Sequence, residues 1–125
     1  AQAALDFGKK EECSVCRYAD YYYFDLFACM EEKMPLEHLK MGLYRKLQEY
    51  DRQNQTRYCS QILMYLKCDC NATHAAEQMY LHRNTIRKAV QFVEDTWQVD
   101  LKDTEMKKQM DMGELVDQYL AWKNR

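Results

Sequence analysis

Apolar residues recur every three or four positions along almost the whole chain, the spacing that puts them on one face of a helix. Three glycines and one proline leave little material for tight turns, so the fold class expected is all-α. Residues 1–8, "AQAALDFG", have the apolar spacing of a helix end, with Gly8 free to take the left-handed conformation that stops it. A chain that opens in mid-helix is expected to be cut from something longer. "SVCRYAD" reads as a short extended segment near the N-terminus, and "YYYFDLFACMEEK" follows as a helix with Tyr22, Leu26 and Met30 along one face. The run of aromatics there is expected to be core and rim rather than a stacking platform. Pro35 starts a short helical turn through Leu39. The spacings of Leu43, Leu47 and Tyr50, then of Tyr58, Ile62, Tyr65 and Leu66, predict two helices joined across residues 51–54.

The stretch "NATHAAEQMYLHRNTIRKAV" carries a more specific pattern. Asn71 is a good N-cap, and Ala75, Ala76 and Met79 form an apolar stripe small enough for two helices to cross closely. Tyr80, Leu81 and His82 make a three-residue break. Beyond it, Ile86, Ala89, Val90, Val93 and Trp97 follow the period of a second helix's inner face. Two short helices around such a break, with an apolar residue in the turn at Leu81, have the form of a helix-turn-helix. Helical geometry then turns Arg83, Asn84, Arg87 and Lys88 outward near the start of the second helix. Arg forks onto guanine, Asn onto adenine, and Lys meets phosphate as a point charge, while His82 and Thr85 can donate to the backbone at the helix start.

Charge changes this picture only locally. The chain as a whole carries a formal net charge of −2 with signs interleaved, as on a folded surface, whereas DNA binders are usually basic overall. Between His82 and Gln91, however, Arg83, Arg87 and Lys88 stand with no acid among them. DNA affinity would have to come from that patch or from dimerisation.

These residues carry a resemblance. "HRNTIRKAV" resembles the "HRNT" run of the helix-turn-helix at the C-terminus of PucR-family transcriptional regulators, the purine-catabolism and sugar-diacid type. "LQEYDRQNQTRYCSQILMYL" is similar to the "L..YD" segment and the helix ending in "YL" that precede it, and "VDLKDTEMKKQM" to the tail that follows. "QAALDFG" and "RYADYYYFDLF" look like the end of a regulatory region and its connection. The resemblance implies an output module of a bacterial regulator, with an effector sensed by an upstream region. It divides the chain into a connecting segment at 1–19, N-terminal helices at 20–70, the helix-turn-helix at 71–97 and a C-terminal helix at 98–125. It also implies double-stranded operator DNA as partner, read in the major groove by the second helix from about residue 83 to 97. The residues concerned are His82, Arg83, Asn84, Thr85, Arg87 and Lys88. The sequence departs from the family pattern at Lys88 and Ala89, where an aromatic and an arginine are common, at Phe92, where a basic residue is frequent, and at Gln98, in place of a glycine.

Two half-sites about 34 Å apart suit a homodimer, for which an exposed Phe92 and the C-terminal residues Leu115, Val116, Tyr119, Leu120 and Trp122 are candidate contacts, with a place in the core the equal alternative for both. The rival reading is a protein interaction or dimerisation module that keeps the fold without the DNA contacts. Cys13, Cys16, Cys68 and Cys70 superficially offer four thiolates, but the last two have a single intervening residue, so reduced thiols and no metal are expected. His38, His74 and His82 lie on separate segments, and no nucleophile and base share a helical spacing, so neither an enzyme nor a cofactor is expected. No apolar run reaches the roughly 18 residues of a membrane span, and the expected location is cytoplasmic.

Overall fold

A computed structural model describes residues 18–40 and 42–124. Among them the regular structure is entirely helical: α1 (Tyr18–Glu31), a 3-10 turn (Leu36–Leu39), α2 (Leu43–Asn54), α3 (Tyr58–Lys67), α4 (Ala72–Met79), α5 (Arg83–Trp97) and α6 (Thr104–Lys123). The helix end around Gly8, and Cys13 and Cys16, lie outside the described residues. The segment read as extended through Asp20 is corrected at its end, because α1 is already helical at Tyr18. The described residues form two compact units, one within 40–114, the other of 18–39 with 115–124.

The core of the first unit is built from Leu43 and Leu47 of α2, Ile62 and Leu66 of α3, Ala75 and Ala76 of α4, and Ile86 and Val93 of α5. Leu101 and Met110 close it. Alanine at the two α4 positions lets that helix lie close to its neighbours, and both are buried. Gly113 on α6 serves the same end. A Cβ there would sit 2.3 Å from the Tyr44 ring, so the ring packs directly on the α6 backbone.

Residues 51–54 do not join two helices; they are the last turn of α2, and the break falls at 55–57. Gln55 ends the helix in the left-handed conformation. Asp51 instead reaches across the turn: its carboxylate accepts the Thr56 hydroxyl and the backbone N–H groups of Tyr58 and Cys59, at 2.9 Å each for the amides. Two orphan donors of α3 are thereby satisfied by a residue of the preceding helix. At the far end, the Asp103 carboxylate accepts the Glu105 N–H at 3.0 Å at the start of α6.

In the second unit, the apolar face of α1 is out of phase with the sequence reading. Phe24 and Phe27 are buried, whereas Tyr22 is 55% and Leu26 45% exposed. The helix is apolar over most of its circumference, so spacing alone does not choose a side; the aromatic residues of the end of α6 do. Tyr119 packs edge-on to Phe24 and Phe27, and Trp122 lies 5.9 Å from Phe24. Val116 completes the buried face, and Leu115 and Leu120 are half-buried. The Tyr119 hydroxyl donates to Glu31, whose other carboxylate oxygen accepts from Lys123 at 2.7 Å.

Candidate nucleic-acid interface

Helices α4 and α5 are set at their starts by side-chain caps. Asn71 Oδ1 accepts the His74 N–H at 3.0 Å. At α5 the cap is a histidine: His82 is extended and its Nδ1 accepts the Asn84 N–H at 3.1 Å. With Nδ1 engaged as acceptor, Nε2 is the ring nitrogen left to donate. Between the helices, Tyr80 takes the left-handed conformation at φ 57°, and the Leu81 N–H bonds back to Ala76 at 2.9 Å, closing α4. A non-glycine residue there costs about 1 kcal/mol. Tyr80 is 96% exposed, and Leu81 in the turn keeps 39% exposure.

Ile86, Ala89 and Val93 are buried, with Val90 and Trp97 half-buried beside them. This inner face leaves His82, Arg83, Asn84, Thr85, Arg87 and Lys88 all exposed. The three cations form no ion pair among the described residues. Farther along, Gln91 donates to Asp95 at 2.9 Å, and Glu94 turns away to accept the Leu101 N–H at 3.1 Å.

The charge order along α5 is the reverse of what the helix dipole favours. A helix start carries partial positive charge and its end partial negative charge, so acids belong at the start and cations at the end. Here the first turn has no acid and the last turn no base. An aspartate cap would also suit the dipole, yet a histidine occupies the position. The outer surface thus adds Arg83, Arg87 and Lys88 to an already positive helix end.

Two open grooves flank α5. One, of about 720 Å³, lies toward the start of α4 and is lined by Arg87 and Gln91 with Asn71, Thr73 and Asp69. The other, of about 470 Å³, lies toward the start of α3 and is lined by Lys88 and Thr85 with Arg57 and Gln61.

Residues 62–112 match the model of the PucR C-terminal helix-turn-helix domain. Over those residues the chain is similar to the helix-turn-helix of PucR-family regulators. The match takes in α4, the turn and α5 complete, with every outward residue named above. The proline-responsive transcriptional activator PutR of Bacillus subtilis strain 168 is 25% identical over 58% of this chain and 23% of its own length. No solved structure matches the chain. The PucR-type domain supports a DNA-binding, regulatory role.

One further candidate is placed differently from the sequence reading. Phe92 is not exposed: it is half-buried, stacks on Tyr58 at 4.9 Å and meets Tyr50 and Trp97. An aromatic on this side of α5 fills the space between α2 and α3, where a basic side chain would have to reach past two rings. Cys29, Cys68 and Cys70 form no disulfide, and no group of three or more potential metal ligands occurs among the described residues. His38 and His74 are exposed. None of the described helices is long and apolar enough to cross a membrane. Arg57 and Gln61 were not singled out in the sequence; nothing local marks them, since they meet α5 only through the packing of α3.

Proposed function

We propose that the chain is the sequence-specific DNA-binding output of a cytoplasmic PucR-like transcriptional regulator, without catalytic activity of its own. The first two turns of α5 enter the major groove of double-stranded DNA. The observation that carries this reading is the inverted charge order of α5, with three cations left without a protein partner on a surface already favoured by the helix dipole. An ordinary solvated helix face gains nothing from that arrangement, whereas a polyanion gains at every position.

On this reading Arg83, Asn84 and Arg87 face base edges, Lys88 meets phosphate, and His82 and Thr85 donate to phosphate at the helix start. One helix-turn-helix covers too little DNA for tight specific binding, so two copies occupy half-sites about 34 Å apart. The homodimer and the response to an effector, sensed by an upstream region, belong to the longer regulator.

The test is a titration of DNA selected from a random pool, at several salt concentrations. Arg87→Ala is expected to cost about 1 to 3 kcal/mol on the preferred site and to relax base choice there. Lys88→Ala is expected to weaken all sequences alike and to flatten the salt dependence by about one counterion. Both positions are exposed, so stability should change by no more than about 0.5 kcal/mol. Footprinting should show two protected half-sites one helical turn, or a multiple, apart. If both variants bind like the parent, the basic face is a solvated surface and the interaction-module reading replaces this one.

A further inference from the structure

The groove between α3 and α5 has the chemistry of a phosphate seat. Arg57 stands at the N-cap position of α3 and Lys88 on the second turn of α5, and the two line the same open space. Gln61 and Thr85 add an amide and a hydroxyl, and no carboxylate lines the groove. Neither cation has an ion-pair partner among the described residues. The nearest acid in sequence, Asp51, is turned to the backbone: both its oxygens are taken by Thr56, Tyr58 and Cys59. Two unpaired like charges sharing one groove repel each other, and only an anion placed between them converts that repulsion into attraction.

Resting on the major-groove reading of α5, we propose that Arg57, with Gln61, binds a backbone phosphate of the DNA strand that passes along the α3 side of α5, opposite Lys88. A helix lying in the major groove has one phosphate strand on either flank. The groove at Asn71 and Thr73 faces one strand and the Arg57–Lys88 groove the other, so α5 is flanked on both sides while its outer residues face the bases. Arg57 precedes the segment that matches the PucR-type domain, so this contact would extend the interface beyond the helix-turn-helix.

The fold makes Arg57 a clean position to test. Its backbone carbonyl accepts from Ser60 and Gln61, and those bonds do not involve the guanidinium. The full chain is titrated with a random-sequence duplex pool of about 20 base pairs, from about 50 to about 200 mM salt. Arg57→Gln is expected to weaken binding without changing base preference and to lower the log–log salt slope by about 0.9. Its deficit against the parent then shrinks about three- to fourfold across that range. Arg57→Lys should keep the slope. Lys108→Gln, which removes the same charge from α6 outside both grooves, should also leave it unchanged. An Arg57→Gln slope equal to the parent's, with Arg87→Ala still impaired, overturns the phosphate seat and leaves the reading of α5 intact. Equal flattening by Lys108→Gln overturns it as well, since net charge and not the groove would then be at work. A parent chain that binds no duplex overturns both.

Discussion

His82 shows at the scale of one residue how binding and stability pull apart. Its imidazole does the work that serine, asparagine or aspartate usually does at a helix start, accepting a single amide. His82→Asp would keep the cap and add a negative charge where the dipole favours one, so it should stabilise the folded chain by about 0.5 to 1 kcal/mol in denaturant titration. The same charge would meet phosphate, so DNA binding should fall, most steeply at low salt. A variant that gains stability and keeps its affinity would mean that the start of α5 does not approach the DNA backbone. Arg83, Arg87 and Lys88 follow the same logic: each is placed against the dipole, and each is exposed.

Between elements, the decisive device is Asp51. It belongs to the last turn of α2 but caps α3, so the two helices are joined by hydrogen bonds across a three-residue break. Asp51→Ala removes the acceptor of three donors and should cost about 1 to 3 kcal/mol, measured by chemical denaturation. Asp51→Asn, which keeps one acceptor oxygen, should cost less; equal losses would point to the charge alone. Because α3 carries Arg57 and packs against α5, loosening its first turn should also reduce DNA binding, although Asp51 itself lines neither groove. Gly113 is a second such device, since the Tyr44 ring occupies the space a side chain would need.

For the molecule as a whole, the pH range of stability is bounded in part by the unit that holds α1. Lys123, and then the Tyr119 hydroxyl, hold the Glu31 carboxyl below its ordinary value of 4.5. Burial, and then the bond to Glu31, push the Tyr119 phenol above its ordinary value of 10.0. A depressed carboxyl contributes stability above pH 4.5 and loses it as pH falls through the lowered folded value. A raised phenol contributes below pH 10.0 and loses it as pH rises through the raised folded value. Hydrogen exchange of α1 should therefore be slowest, relative to intrinsic rates, between these limits. Tyr119→Phe should remove the alkaline loss and shrink the acid one, leaving Lys123 as the partner of Glu31. An unchanged profile in that variant would mean that the network does not hold α1.

The sequence by itself determined what depends on neighbours three or four positions apart. The cap at Asn71, the break at Tyr80–His82, the buried stripe of α5 and the outward set from Arg83 to Lys88 are all local relations, and helical geometry fixes them wherever the helix lies. The same holds for the basic start of α5, which "HRNTIRKAV" displays without reference to the fold. Tertiary structure decided what depends on residues far apart in the chain. Periodicity could not choose between the two sides of α1, because its apolar residues surround it; Tyr119 and Trp122 chose Phe24 and Phe27. It placed the end of α2 too early, because an aspartate near a helix end reads as a terminator until its partners on α3 are known. It left Phe92 open between surface and core, because the rings of Tyr50 and Tyr58 that cover it belong to other helices. Arg57 and Lys88 lie 31 positions apart and carry no common motif, and they share a groove only because α3 packs against α5.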